Sequence, residues 1–303
     1  MVETIETTRK FSINFPKAIS EFQNAMKKFP VKQILYKIIF RGKGLEFDSY
    51  RVFENGDDGD LIDWKASLRA NQLLARKYIE EKELNVYFLV DVSNSMLFGS
   101  GNKLKAEYAA EFVAALSHLV STSGDRIGLV MFNDKIVKFL HPGSGRNQFA
   151  LFMKFLADPN LYGGGFNLGK TIESVLKTVR SDYNVFIVVS DFIKVNSFSD
   201  ERSMKIIGTK FETISVVIRD VLDEELPKTD YQFAIQDPYS NRQMILDPKI
   251  AAERYRENVA LQKRILMALF KKSKIDSVEF LTKNSFASLL VAFLKRRSKR
   301  GRI

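Results

Sequence analysis

The fold is decided by the stretch Val86-Tyr87-Phe88-Leu89-Val90-Asp91-Val92-Ser93-Asn94-Ser95. An uninterrupted apolar run of this length, rich in valine and aromatic residues, is typical of a strand buried on both faces of a sheet. The run stops at Asp91, and two hydroxyls follow at alternate positions, Ser93 and Ser95. Ligand-binding residues of open α/β sheets lie at the carboxyl ends of the strands. We therefore expect three oxygen-bearing side chains at one sheet edge, which are ligands of the kind that Mg²⁺ prefers.

A second strand of the same kind is predicted over residues 184–190, and it too ends in a carboxylate, Asp191. Between the two strands lies a loop of three glycines at 163–165, followed by Phe166, Asn167 and a predicted helix. Because both strands and the loop should end at the same edge, we expect the three segments to converge above the sheet.

This arrangement resembles a von Willebrand factor A domain with its metal-ion-dependent adhesion site. Asp91, Ser93, Ser95 and Asp191 match the family motif, whereas Phe166 stands where the family has a threonine. The resemblance implies Mg²⁺ bound directly by the two serines and through water by the two aspartates, with an acidic group of a partner completing the shell. A carbonyl oxygen of Asn167, or a water, is the candidate replacement for the missing threonine oxygen, and we expect metal binding to be weak or absent. The predicted metal site is therefore Asp91, Ser93, Ser95, Asp191 and Asn167.

A narrower resemblance runs from about residue 41 to about residue 191. The segments at 41–51, 55–58 and 62–69 occur in this order before the Asp91 strand. Together they are similar to the bacterial and archaeal "domain of unknown function fifty-eight" proteins. That family carries a von Willebrand A-like domain and is associated with MoxR-type AAA+ ATPases. The resemblance implies such an ATPase as partner, with an unknown client protein.

The composition bounds the remaining function classes. Cysteine is absent, which excludes disulfides and thiol chemistry. No window approaches the apolar length of a bilayer span and residues 1–6 lack signal-peptide features, so a cytoplasmic location is expected. The net charge of +11 suggests no specific nucleic-acid partner, because six basic residues of the C-terminal tail account for most of it. These residues are interpreted as a solvated basic tail, with weak contact to an anionic membrane or to RNA as the alternative: Lys295, Arg296, Arg297, Lys299, Arg300 and Arg302.

The chain is predicted to have an N-terminal extension over residues 1–83 and a von Willebrand A-like domain over 84–303. The fold class is α/β, with a doubly wound, mostly parallel sheet of six strands and a small β-rich lobe. A β-hairpin is inserted at about 227–247. We expect this hairpin to pack with the N-terminal strands, among them a strand over 33–40, and to leave the Asp91 loop uncovered. Trp64, the single tryptophan, is interpreted as core packing.

Three functions remain open. The favoured one is a non-enzymatic scaffold that works with the ATPase in protein assembly or maturation. The second is a metal-free interaction domain with a degenerate site, as Phe166 suggests. The third is a metal-dependent phosphatase of the haloacid-dehalogenase type, although Ser93 stands where its acid/base carboxylate should be. Four loop phenylalanines would anchor a partner or tuck beneath the loops: Phe98, Phe166, Phe192 and Phe198.

Overall fold

The computed structural model of the protein describes residues 11–27, 47–54, 57, 59–78, 83–179, 184–195 and 198–300. The strands are β1 (Phe47–Val52), β2 (Leu74–Tyr78), β3 (Asn85–Asp91), β4 (Arg126–Phe132), β5 (Ile136–Gly143), β6 (Asn184–Ser190), β7 (Glu212–Arg219), β8 (Phe233–Gln236), β9 (Gln243–Leu246) and β10 (Asp276–Leu281). The helices are α1 (Phe15–Lys27), α2 (Trp64–Ala70), α3 (Lys105–Thr122), α4 (Gly145–Ala157), α5 (Leu168–Thr178), α6 (Phe198–Lys210), α7 (Pro248–Lys272) and α8 (Phe286–Arg300). The strand predicted over 33–40, and most side chains of the basic tail, lie outside the described residues.

Six strands form the main sheet in the order β10-β7-β6-β3-β4-β5. All neighbours are parallel except β5, which runs antiparallel to β4 at one edge. The chain winds from β3 to one side through β4 and β5, and then returns to build the other side through β6, β7 and β10. The winding direction thus reverses between β3 and β6, which is where open α/β sheets bind their ligands. The predicted α/β fold with a doubly wound sheet of six strands is confirmed.

The alternation of side chains along β3 divides the core into two layers. Val86, Phe88 and Val90 face a layer formed by α1, α3, α4 and α8. Tyr87 and Leu89 face the opposite layer, formed by α5, α6 and α7. Because successive side chains of a strand point to opposite faces, an unbroken apolar run buries both faces at once. The central strand is therefore inaccessible except at its ends.

The N-terminal helix α1 belongs to the core of the main sheet. Its buried residues are Ala18, Phe22 and Met26, at the spacing of one helix face. The backbone just before it is held by α3, since Glu107 accepts a hydrogen bond from the Ser12 amide at 2.6 Å. The first part of the chain is thus anchored to the helix that follows the Asp91 loop.

The position of the hairpin differs from the sequence-based expectation. β1 pairs with β2 and β8 pairs with β9 in two separate two-stranded antiparallel sheets. The tip of the β8–β9 hairpin lies instead on the Asp91 loop, where Tyr239 reaches the two serines. The expectation that the hairpin would leave this loop uncovered is therefore wrong. The reason is that the turn carries a polar phenol, whose hydroxyl finds partners at the sheet edge.

Trp64 is not packed in the core, contrary to the expectation from the sequence, because its side chain is 65% exposed. The seven-residue helix α2 packs on β2 through Ser67, whose hydroxyl accepts a hydrogen bond from the Leu74 amide at 2.9 Å. The small helix thus buries a serine and leaves the tryptophan on the surface. None of the helices in the described ranges has both the length and the apolar composition needed to cross a bilayer.

Candidate functional site

Three segments meet at the carboxyl ends of β3 and β6, as the sequence predicts. Asp91 ends β3, and Ser93 and Ser95 follow it as buried residues of the next loop. The glycine loop is bonded to this segment in both directions, because the Asn94 amide donates to the Gly164 carbonyl and the Asn94 side chain accepts from the Gly164 amide. These bonds join two loops that are about seventy residues apart in the sequence.

The glycine loop needs glycine at 164. Gly164 has a φ of +94°, a backbone conformation that residues with a Cβ rarely adopt. A Cβ built there would lie 2.5 Å from the side-chain nitrogen of Asn133, which itself donates to the Gly163 carbonyl. The glycine therefore allows the loop to pack closely against the end of β4.

Both oxygens of Asp91 are occupied by donors of the protein. Oδ1 accepts from the Ser93 amide at 2.9 Å, and Oδ2 accepts from the Ser190 hydroxyl at 2.6 Å. The side chain is fully buried. Burial, followed by repulsion from the Asp191 carboxylate, raises the pKa of Asp91 to about 7. This carboxylate is thus a hydrogen-bond acceptor that orders the loop after β3.

Asp191 has a different partner, the ammonium group of Lys105. Lys105 Nζ lies 2.8 Å from Asp191 Oδ2 and 2.9 Å from Asp223 Oδ2, and the lysine and Asp191 side chains are each 1% exposed. Burial alone would raise the pKa of Asp191, but the charge and hydrogen bond of Lys105 outweigh it and lower that pKa. Burial alone would likewise lower the pKa of Lys105, but the same two carboxylates overcome it and raise that pKa. Both groups are therefore held in their charged forms.

The hydroxyl of Tyr239 covers the two serines. It donates to Ser95 Oγ at 2.9 Å and shares a hydrogen bond of 3.1 Å with Ser93 Oγ, while the two serine oxygens lie 3.4 Å apart. Neighbouring contacts hold the tip in place, since Asn94 donates to the Pro238 carbonyl and Lys194 Nζ lies 4.4 Å from the centre of the Tyr239 ring. One phenol thus satisfies both hydroxyls of the predicted motif.

The remaining predicted residues point elsewhere. Phe166, in the place of the family threonine, packs its ring against Phe132 at 6.2 Å between centroids and joins the core beneath the loop. The Asn167 side chain caps α5 by accepting from the Lys170 amide at 2.9 Å. Asn167 therefore does not replace the threonine oxygen in this arrangement.

The donors present do not fit a divalent cation as they stand. Such a cation needs several free oxygen atoms around one point. Here the serine hydroxyls bind a phenol, and Asp191 binds an ammonium group. The oxygens of Asp91 are both bonded to protein donors as well. Tyr239 would have to leave the serine oxygens before a cation could bind them, and Lys105 already supplies a positive charge beside Asp191.

Sequence reasoning missed two groups that define the site, Lys105 and Tyr239. Lys105 is the first residue of α3, and a cation at a helix N-terminus opposes the helix dipole, so its position alone is a signal. Tyr239 lies in a cluster of turn residues that predicts a hairpin. The neighbouring sequence does not indicate which distant residues its side chain contacts. Ser190, the donor to Asp91, is buried at the end of β6, and its position before Asp191 gives only a weak, phosphatase-like pattern.

The four loop phenylalanines divide into two pairs. Phe192 is buried and packs edge-on against Phe270 at 5.3 Å, with a φ of +52° that is unusual for a bulky residue. Phe166 is the second inward ring. Phe98 and Phe198 face solvent, and Phe198 is 82% exposed. Phe98 ends the turn that contains Ser95, and Phe198 begins α6 beyond the loop after Asp191, so two exposed aromatic side chains flank this end of the sheet, which we call the rim.

Comparison with known proteins identifies the family. The profile described as "Protein of unknown function DUF58" matches residues 49–265. "Uncharacterized protein Rv1480" of Mycobacterium tuberculosis is 26% identical over 229 residues, which cover 72% of this chain and 71% of that protein. Among solved structures, a conserved hypothetical protein BatB from Bacteroides thetaiotaomicron is 16% identical with a TM-score of 0.46, covering 71% of this chain and 99% of that one. The SpRpn10 VWA domain is 13% identical with a TM-score of 0.42, covering 69% and 94%. Because the profile spans well over half of the sequence, this protein belongs to the DUF58 family.

Proposed function

We propose that this protein is a non-enzymatic interaction protein that binds a protein partner through the loops at the carboxyl ends of β3 and β6. The observation that carries the proposal is the convergence of these loops at the point where the sheet reverses its winding. Rigid sheets place their binding residues on such loops. Two exposed aromatic residues at the rim, Phe98 and Phe198, supply the anchors that a protein interface needs.

The arrangement of the carboxylates supports binding over catalysis. A phosphatase of the haloacid-dehalogenase type requires a free aspartate as nucleophile and a second carboxylate two residues later. Asp91 has both oxygens hydrogen-bonded, and the residue two positions on is Ser93. Asp191 is neutralised by a buried lysine. Asp91 is enclosed and hydrogen-bonded and Asp191 is paired with Lys105, so neither carboxylate is free to attack a substrate.

Of the two binding modes, the metal-free one has a specific observation in its favour. Lys105 supplies the positive charge beside Asp191 that a cation would otherwise provide, and Phe166 offers no oxygen. We therefore propose that the site recognises its partner without Mg²⁺. The partner remains the one that the family resemblance implies, a MoxR-type AAA+ ATPase acting in protein assembly or maturation.

The test is co-purification of the ATPase encoded in the same genome with the tagged full-length protein, in the presence and absence of a chelator. Phe98→Ala combined with Phe198→Ala is expected to reduce capture about tenfold or more, because both rings belong to the rim. Capture by the unmodified protein should be the same with the chelator.

Leu68→Ala is the matched control, since Leu68 is 83% exposed but lies on α2, in another part of the chain. This variant should capture the ATPase as the unmodified protein does. If Leu68→Ala abolishes capture and the phenylalanine pair leaves it unchanged, the partner binds elsewhere and the proposal fails.

A further inference from the structure

Resting on this proposed function, we infer that the tip of the β8–β9 hairpin is an internal ligand of the site and that the partner must displace it. Tyr239 bonds to the hydroxyls of Ser93 and Ser95, which lie at the centre of the converging loops. A partner loop and the hairpin tip cannot contact these two hydroxyls at the same time.

The tip is shaped in advance for this contact. Asp237 Oδ1 accepts from the amides of Tyr239 and Ser240 at 2.8 and 3.1 Å, which closes the turn around its own backbone. Asn241 completes the turn with a φ of +56°, a conformation that asparagine tolerates. The phenol is therefore presented by a rigid turn, and docking costs little conformational entropy.

The hairpin that carries the tip has few other contacts to hold it on the site. β8 and β9 contain four residues each and pair only with one another among the described strands. Met244 and Ile245 of β9 are largely exposed. An isolated two-stranded hairpin is marginal in water, so its docked position depends on the few contacts made at the tip. Undocking would uncover the site without disturbing the main sheet.

The contacts of the tip also describe the partner that would replace it. The site offers two serine hydroxyls, the Asn94 side-chain amide and the Lys194 ammonium group. Their present partners are a hydroxyl oxygen, a backbone carbonyl and the face of an aromatic ring. A protein loop that presents an aromatic hydroxyl or a carboxylate on a turn would satisfy the same groups.

The absence of cysteine makes the state of the hairpin directly measurable. Ser95→Cys places a single thiol under the phenol, and its rate of reaction with a maleimide reports how often the tip is undocked. Adding Tyr239→Ala should raise this rate about tenfold, because two hydrogen bonds and the ring contact are lost. Tyr239→Phe keeps the ring and should raise it only a few-fold. Ser123→Cys, exposed at the far end of α3, is the reference and should react at one rate in all three backgrounds.

Capture of the ATPase tests the displacement itself, and it uses the Tyr239 variants with Ser95 intact. Tyr239→Ala should capture several-fold more ATPase than the unmodified protein, because the partner no longer competes with the tip. Equal thiol rates with and without the Tyr239→Ala substitution would contradict the claim that the tip covers Ser95. Faster labelling without increased capture would contradict the claim that the partner competes with the tip. If no variant captures the ATPase, the proposed partner is wrong, while the thiol rates still decide whether the hairpin closes the site.

Discussion

The two halves of the site are closed in different ways. The serine half, Ser93 and Ser95, is covered by a tyrosine at the tip of an exposed hairpin. The aspartate half, at Asp191, is neutralised by a lysine that is as buried as the core. The first closure can be removed by moving a surface turn, whereas the second is part of the folded interior. One sheet edge thus combines an exchangeable contact with a permanent one.

The difference is one of access to solvent. Around the tip, water can replace each lost hydrogen bond, so each contact contributes only about 1 kcal/mol. Lys105 lies in the interior, where solvent cannot compensate, and removing one partner would leave the others as uncompensated buried charges. If stability does not depend on Lys105, or depends strongly on Tyr239, the two closures do not differ in this way.

The largest effect is expected for Lys105→Met. The methionine is close to the lysine in length but leaves Asp191 and Asp223 without a counter-charge. We expect the free energy of unfolding, measured by urea denaturation at neutral pH, to fall by about 3–5 kcal/mol. Lys170→Met is the control, since it also removes a lysine from the first turn of a core helix, but from an exposed position. That variant should remain within about 0.5 kcal/mol of the unmodified protein.

A double variant separates the charge of Lys105 from its packing. Adding Asp191→Asn to Lys105→Met removes the unpaired charge at residue 191. The double variant should therefore lose less free energy of unfolding than the sum of the losses of the two single variants. The coupling expected for a buried ion pair is about 1–3 kcal/mol. Simple additivity in the urea experiment would show that Lys105 acts through packing alone.

Tyr239→Phe is expected to have a smaller effect on stability. The substitution removes the hydroxyl but keeps the ring beside Lys194, and the hairpin lies outside the main core. We expect a loss of about 1 kcal/mol or less in the free energy of unfolding. A loss comparable to that of Lys105→Met would mean that the hairpin folds as part of the core and cannot act as a removable cover.

The smallest expected effect is that of metal. Because the oxygens of the motif are engaged by Tyr239, Lys105 and other protein donors, millimolar Mg²⁺ should leave the Tm unchanged, and so should a chelator. Calorimetric titration with Mn²⁺ is the second measurement, and we expect no submicromolar binding. A Tm that rises steadily with Mg²⁺ concentration would show that the cation displaces the groups that now occupy the site.

The fold could be predicted because its signals are local. The apolar run of β3 and the helical spacing of Ala18, Phe22 and Met26 each define an element without knowledge of its neighbours. The doubly wound sheet follows from the alternation of such elements along the chain. Trp64 departs from the expected burial because aromatic character favours burial only on average, and the short helix α2 contacts β2 through Ser67.

The convergence of four of the predicted side chains follows from the sequence, whereas their partners do not, and metal binding itself stays a prediction. Asp91, Ser93, Ser95 and Asp191 meet as expected, since the ends of neighbouring strands must. Their partners come from residues far apart in sequence. Ser93 and Tyr239 are separated by 146 positions, and Lys105 and Asp191 by 86. No local pattern records such a pairing, because it depends on where a turn and a helix end are carried by the fold.

The unusual backbone of Phe192 has a consequence for how the site keeps its geometry. A bulky residue at a φ of +52° costs about 1–3 kcal/mol, which the packing of its ring on Phe270 offsets. The chain direction just after β6 is therefore set from below, by an aromatic anchor in the hydrophobic layer. On this backbone the Ile193 amide and the Lys105 ammonium group orient the Asp191 carboxylate, since they donate to Oδ1 and Oδ2. Glycine at 192 would relax the backbone but remove the ring contact with Phe270, so we expect it to leave the chain direction after β6 less well defined.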